Sequence, residues 1–491
     1  MTIIYEEQAA EHIHGICLKT GPPRLVGVEL EWLVRDARDP ALPVTAERIS
    51  AAVAAFAPAQ RLSSGTGVAA STGVPASTGL PSSSEPGVLP SGALLTAEPG
   101  GQLEVSSQPA DSLASCVRDT SADLAALRAA LGAAGLELAG IGLDPIRSPH
   151  RILHLPRYAA MEKFFDRGGP WGRQMMGSTA SVQVCVDAGD ESDGYLGYRW
   201  RWRLLHAIGP VLVAAFANSP LRDGRPTGWL SSRQQVWAHM DPGRTRPPQS
   251  GEPDPRPGWV EYVLNAQVMC VRDPGSEDWS APPGLTLRDW VRDRPRAGNG
   301  TRLRAPTAED LAYHVSTLFP PVRPHGHLEL RMIDAQPGDG WMVPLALTSA
   351  LLGDEPASAA AMAAAERLWA GHGPPGEWPA SRPAGTGNGN GNGNGVGNGA
   401  GHGNGNGARG ENPWPRAARL GPADPAIARA SRECFAAARS ALDRMAAPAE
   451  ITAAVDAFIE RYVSKDRCPA DDLLEAADDL PETTNRPEEA Q

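Results

Sequence analysis

Apolar and polar positions alternate in three widely separated stretches of the chain, and each alternation carries acids on its polar side. Val26-Gly-Val-Glu-Leu-Glu-Trp-Leu-Val34 sets Glu29 and Glu31 two residues apart among Val, Leu and Trp. Glu98-Pro-Gly-Gly-Gln-Leu-Glu-Val105 is the second, and His325-Gly-His-Leu-Glu-Leu-Arg-Met-Ile333 the third. Successive strand side chains point to opposite faces. Each stretch therefore predicts a strand with a core face and a face of carboxylates and bases. Glu29 and Glu31 share one such face, Gln102 and Glu104 another, and His327, Glu329 and Arg331 a third. Ser178–Asp187 alternates as well, with Val182, Val184 and Val186 against Ser181, Gln183, Cys185 and Asp187. One acidic strand is unremarkable, since a solvated antiparallel face is polar anyway. Three with the same acids are less ordinary, because Glu is depleted in strands. Carboxylates gathered on one sheet face repel unless cations neutralise them, so the pattern points to a divalent metal site. Glu98-Pro-Gly-Gly adds a tight turn that delivers a further carboxylate at a strand start.

Helical periodicity fills much of the rest. Asp111 is the expected N-cap of an Ala/Leu-rich helix running to about Ala134 and closed by Gly135, with a strand over Leu136–Asp144. Tyr198–Ala217 reads as a helix interrupted by Pro210. Thr307–Leu318, Pro344–Leu352, Ala357–Trp369 and two segments within Pro425–Tyr462 complete the helical set. Acid-faced strands from distant parts of the chain predict an α+β fold with a mostly antiparallel sheet. Residues 63–95 are rich in Ser, Thr, Gly, Pro and Ala, and 385–410 is nearly a Gly-Asn repeat. Neither buries enough apolar surface to offset the entropy of ordering, so both are expected to be disordered.

Composition narrows the function. The formal net charge is −12, which argues against a nucleic-acid binder. The one basic-aromatic run, Arg199-Trp-Arg-Trp-Arg203, opens an apolar helical stretch and reads as a helix face with buried Trp. Six cysteines without C-x-x-C spacing fit neither a zinc site nor a disulfide scaffold and suit a reducing cytoplasm. The N-terminus lacks a signal-peptide pattern, and the longest apolar run, near Ala207–Ala217, is too short to span a bilayer. No membrane partner is therefore expected. Neither Gly-x-Gly-x-x-Gly after a strand nor a Walker loop occurs, so metal ions must handle the phosphates of any bound nucleotide.

Taken together, the motifs resemble the glutamate–cysteine ligase family, in the branch shared by plant and many bacterial enzymes. The resemblance runs through Gly27–Glu31, Glu98–Glu104, Gly140-Ile-Gly-Leu-Asp-Pro145, Pro156-Arg-Tyr158, Met175-Met176 and Ser178–Val186. It continues in Ala215-Phe-Ala-Asn-Ser-Pro220, Gly228–Trp237, Asp241–Thr245, Leu318-Phe-Pro320 and His327–Arg331. The overall form is most similar to the actinobacterial ligases that supply γ-glutamylcysteine to ergothioneine synthesis.

This resemblance implies a glutamine-synthetase-like ligase fold, an antiparallel sheet forming an active-site funnel surrounded by helices. It implies a single catalytic domain over 1–491. The stretches 63–95 and 385–410 would then be insertions, 411–465 the closing helices and 466–491 a flexible acidic tail. The implied reaction activates the γ-carboxylate of glutamate with ATP and transfers it to the amine of cysteine. Glutamate, cysteine and ATP would be the partners, with two or three Mg²⁺ ions, or Mn²⁺ in their place.

By the same resemblance Glu29, Glu31, Glu98, Glu104 and Glu329 are metal ligands, with Gln183 as a further metal-facing group. Arg331 would stabilise the transferring phosphoryl group beside Glu329. Arg233 is the candidate clamp for the glutamate α-carboxylate, Trp237 a pocket wall, and Arg157 and Arg244 further substrate contacts. His325 and His327 are weaker ligand candidates, and Cys185 has no evident base to make it a nucleophile. Two alternatives stand beside this reading: a carboxylate–amine ligase of the same fold with another acceptor, and a non-catalytic metal- or nucleotide-binding homologue. Plant regulatory cysteines have no clear counterparts here, and 242–257 is a different, Pro-rich loop.

Overall fold

The longest alternating stretch becomes the centre of a sheet. A computed structural model describes residues 5–56, 86–248, 253–273, 275–293, 302–372 and 411–478. Within them lie β1 (Val26–Asp36), β2 (Gly87–Val88), β3 (Leu94–Ala97), β4 (Leu103–Ser106) and β5 (Leu136–Ala139). After these come β6 (Ser181–Val186), β7 (Leu221–Arg222), β8 (Arg225–Pro226), β9 (Val322–Pro324) and β10 (Leu328–Asp334). Strands β2-β3-β4-β1-β6-β10-β9 form one sheet in that order, β5 pairs with the far end of β1, and β7-β8 is a separate hairpin. Every pairing between these strands is antiparallel. The architecture is α+β, as the alternation predicts.

Alternation decides which face is which. Val28, Leu30, Leu95, Val105, Val182, Val184 and Leu330 are all buried and share the core face. Helices Leu113–Ala133, Tyr198–Ala215, Met342–Gly353, Glu355–Trp369 and Pro425–Arg444 bury their apolar sides in that same core. The helix Tyr198–Ala215 continues through Pro210 without a break. A second, smaller core joins Ala9, Ile13, Trp259, Val263, Trp290 and Leu311 from four other helices, with Leu318 from the segment after the last of them. It abuts the β9–β10 hairpin, whose Gly326 N–H donates to Cys17 O at 2.8 Å.

Four expectations need correction. Ser112, not Asp111, caps the long helix: its Oγ accepts from Ser115 N–H at 3.2 Å, and Asp111 takes the Ser115 hydroxyl instead. The strand after Gly135 stops at Ala139 because Gly140 leaves the sheet where a Cβ would come 1.9 Å from Gln336 O. Residues 86–95 are ordered in part as β2 and the start of β3, whereas 63–85 and 385–410 lie outside the described residues. Residues 466–478 are not a free tail, and 479–491 lie outside the described residues: Pro469–Asp478 is a helix, Cys468 and Ala470 are buried, and Ala470 N–H donates to Ala217 O at 2.9 Å. No helix among the described residues is long and apolar enough to cross a membrane.

Candidate active site

The face opposite the core collects the acids. Across the sheet Glu31 pairs with Glu104 and Glu104 with Thr96, while Glu29 pairs with Ser106 on one side and Gln183 on the other. Further along, Glu329 lies between Cys185 and Arg323. Directly opposed residues of an antiparallel pair project to the same face, so these side chains form one polar floor. Glu98 reaches its edge from the turn between β3 and β4, where Gly101 N–H donates to Glu98 O at 2.8 Å and Gly101 takes φ +87. Gly100 is pressed against the chain at Gly177, so close that a Cβ would sit 2.5 Å from its carbonyl oxygen. Gln102 does not join the floor. Its amide is buried, donating to Met176 O and Thr179 O at 3.3 and 2.9 Å and fastening the turn.

A bulge shapes the far end. Leu330 pairs with Val184 and Ile333 with Val182, so Arg331 and Met332 together oppose Gln183. A bulge of this kind re-aims a side chain. Arg331 donates to Gln183 Oε1 and to Glu329. Arg323 forks onto the same carboxylate, Nε to Oε2 at 2.8 Å and Nη2 to Oε1 at 3.0 Å. Glu31 accepts from Ser181 Oγ at 2.8 Å and Gln183 Nε2 at 2.9 Å. Glu104 accepts from Thr96 Oγ1 at 2.9 Å.

The electrostatics divide the floor in two. Burial, and then the neighbouring carboxylates, push Glu29 well above the usual carboxylate range, raise Glu104, and bring Glu98 to about 8. Burial acts on Glu329 as well, but Arg323 and Arg331 outweigh it and hold that carboxyl at about 2. One end is thus a set of mutually repelling acids, the other a carboxylate locked between two guanidiniums.

Hard carboxylate oxygens that repel one another suit a hard divalent cation. They line the face in rows, however. Among the described residues no group of three or more His, Cys, Asp or Glu converges to hold a metal by itself. Mg²⁺ needs no such cage, since it is commonly held by one or two carboxylates with water and substrate phosphates. Glu29, Glu31, Glu98 and Glu104 fit that demand. Glu329 and Gln183 fit it less well than the sequence suggests, because Glu329 is already paired with Arg323 and Arg331 and Gln183 bridges Glu31 to Arg331.

The predicted substrate residues separate. Arg233, from the helix Ser232–His239, is 1% exposed, stacks over Trp237 at 4.5 Å and donates from Nη2 to Arg331 O at 2.8 Å. Its Nε and Nη1 are buried without a hydrogen-bond partner, with Nη1 3.9 Å from Asp334. Arg157 lies over Tyr313 at 5.0 Å and bonds Ser316, and its charge reaches Glu98. Arg244 is 0% exposed, and its three nitrogens donate to Asp241, to Thr317 O at 2.8 Å and to Gln267 O at 2.6 Å, so in this structure its guanidinium is engaged in joining loops and does not bond the floor acids. His327 Nε2 is buried without a partner, and burial lowers the pKa of both hairpin histidines. Burial and the adjacent Glu29 and Glu329 push the Cys185 thiol well up, which keeps it inert.

Arg323 escapes a reading by single-strand alternation. The short turn His325-Gly326-His327 closes a hairpin, and counting back across it sets 323 opposite 329.

A sheet face of acids ending in paired arginines defines a site for a polyanionic substrate handled with cations, as in ATP-dependent ligases. The chain matches the model of glutamate–cysteine ligase family 2 (GCS2) over residues 25–374 and belongs to that family. It is 34% identical over 470 residues to the glutamate–cysteine ligase EgtA of Mycobacterium tuberculosis, covering 95% of this chain and 89% of that protein. EgtA of Mycolicibacterium smegmatis is also 34% identical, with 95% and 90% covered. The chloroplastic glutamate–cysteine ligase of Medicago truncatula is 30% identical over 247 residues, 50% of this chain and 47% of that one.

Proposed function

We propose that the protein joins the γ-carboxylate of L-glutamate to the amine of L-cysteine at the expense of ATP, giving γ-glutamylcysteine, ADP and phosphate. The observation that carries this reading is the floor itself, where four acids lead to Glu329 held between Arg323 and Arg331. A γ-carboxylate oxygen of glutamate attacks the γ-phosphorus, the bond to the β,γ-bridging oxygen breaks, and ADP departs. The cysteine amine then attacks the acyl carbon, the bond to phosphate breaks, and an amine proton leaves with the phosphate.

Glu29, Glu31, Glu98 and Glu104 would hold Mg²⁺, two or three ions or Mn²⁺ in their place, which supplies charge neutralisation at the phosphates. Arg331 and Arg323 face the transferring phosphoryl group, and Glu329 fixes the direction of both. Arg233, whose Nε and Nη1 have no hydrogen-bond partner although Nη1 lies 3.9 Å from Asp334, would turn its guanidinium to the glutamate α-carboxylate, with Trp237 as the wall behind it. Arg157 supplies a second cation beside Glu98. We also read 1–491 as one catalytic unit with 385–410 as an insertion. We place it in the cytoplasm, where its six free cysteines stay reduced, feeding ergothioneine synthesis.

The test is ADP formation with ATP, Mg²⁺, glutamate and each amino acid offered singly. Cysteine should be the best acceptor, with γ-glutamylcysteine as product. A better response to another amine would reassign the acceptor, and no glutamate-dependent ADP with any amine would refute catalysis.

A further inference from the structure

The bulge that aims Arg331 is held from outside the sheet. Its two carbonyls are taken by two consecutive residues of the helix Ser232–His239: Arg233 Nη2 donates to Arg331 O at 2.8 Å, and Gln234 Nε2 to Met332 O at 2.9 Å. The start of that helix is bolted to the strand just past the bulge. Ser231, its N-cap, donates from Oγ to Asp334 Oδ1 at 3.0 Å. Ser219 donates to Asp334 Oδ2 at 2.7 Å and accepts from Arg233 N–H at 3.1 Å. On the bulge's other flank Arg331 N–H donates to Pro321 O at 2.8 Å.

A bulge leaves backbone groups without ladder partners, and buried groups of that kind must find others. The turn Ser231–Gln234 supplies them. We infer that Gln234 is a positioning residue for the ligation reaction: by holding the Met332 carbonyl it keeps the bulge in the geometry that points Arg331 at the Glu329 end of the floor. Arg233 shares this duty through one nitrogen. Gln234 carries no charge and bonds no floor acid among the described residues; its link to the floor is the hydrogen bond to the backbone that carries Arg331. This inference rests on the proposed role of Arg331.

Gln234→Met keeps the side chain's length and removes its donor. Turnover should fall about tenfold with the KM values for ATP and glutamate nearly unchanged, the split expected of a misaimed charge. A double-mutant cycle separates positioning from general structure. In an Arg331→Lys background, where the guanidinium is already gone, Gln234→Met should cost almost nothing further. Gln234→Glu gives a second reading, because its carboxyl regains a donor when protonated; its activity relative to wild type should recover as pH falls. Equal losses from Gln234→Met in both backgrounds, or wild-type turnover in that variant, would overturn the inference. If Arg331→Lys itself turns over like wild type, the assigned role of Arg331 falls, which is a different failure.

Discussion

Glu98→Gln isolates the cost of ionising one buried acid of the floor. In the metal-free protein burial and the charges of Glu104 and Glu31 bring this carboxyl from 4.5 to about 8. The folded state therefore holds a proton there that the unfolded chain releases near pH 4.5, and stability falls as pH rises wherever the folded state binds more protons. The loss begins near pH 4.5 and is complete once pH passes about 8. A displacement of this size disfavours the ionised form by at most about 5 kcal/mol. Opening of the turn to water returns much of that, leaving about 2 kcal/mol. The variant removes the titrating group. Without Mg²⁺ its melting temperature should match wild type at pH 4.5–5 and exceed it by roughly 2–4 °C at pH 8. Saturating Mg²⁺ should narrow the gap by stabilising wild type more, because a cation does for the carboxylate what the proton did. Scanning calorimetry from pH 5 to 8, with and without Mg²⁺, reads this directly. A difference that stays flat with pH, or a variant less stable at pH 8, would refute the reasoning.

Arg233→Lys keeps the charge and loses the fork, so KM for glutamate should rise about tenfold while KM for ATP holds, measured by varying each substrate separately. Arg244→Met should leave the KM values near wild type but cost about 3 kcal/mol in chemical denaturation, because Asp241, Thr317 O and Gln267 O lose a buried donor. Deleting residues 385–410 and joining the ends with a short flexible loop should leave specific activity and melting temperature nearly unchanged, since loop length alters closure entropy only by about 0.6 kcal/mol per doubling. A sulfoximine analogue of glutamate should inhibit tightly only with ATP and Mg²⁺ present, because its phosphorylated form resembles the tetrahedral intermediate; inhibition independent of ATP would contradict an acyl phosphate.

Local alternation made the floor legible. A period of two is a property of neighbouring residues, and it placed Glu29 and Glu31, Glu104, and Glu329 each on the polar face of its own strand before any partner strand was known; only the pairing makes those three faces one floor. Features that depend on distant pairing were hidden. Nothing local marks Arg331-Met332 as a bulge, because the irregularity exists only relative to Val184 and Val182. Arg244 sits in a motif that resembles a substrate contact, yet its donors go to Gln267 and Thr317, far along the chain. Gln102 follows the alternation but is drawn away by carbonyls at Met176 and Thr179. The acids near 471 suggest a solvated tail, and it is Cys468 and Ala470, two small buried residues, that fasten it.

The small core beside the β9–β10 hairpin has a consequence for how the protein fails. It gathers far fewer buried side chains than the main core, and protein regions open in cooperative units whose cost follows such burial. Cys17 from this small core holds Gly326, in the turn that sets Arg323 against Glu329, and Ser316 beside it holds Arg157. Opening of that unit would release Arg157 and remove the outside support of the turn behind Arg323 while the sheet stayed intact. Amide exchange should then be faster across 308–318 than in β1 and β6, and on warming activity should disappear several degrees before the cooperative melt.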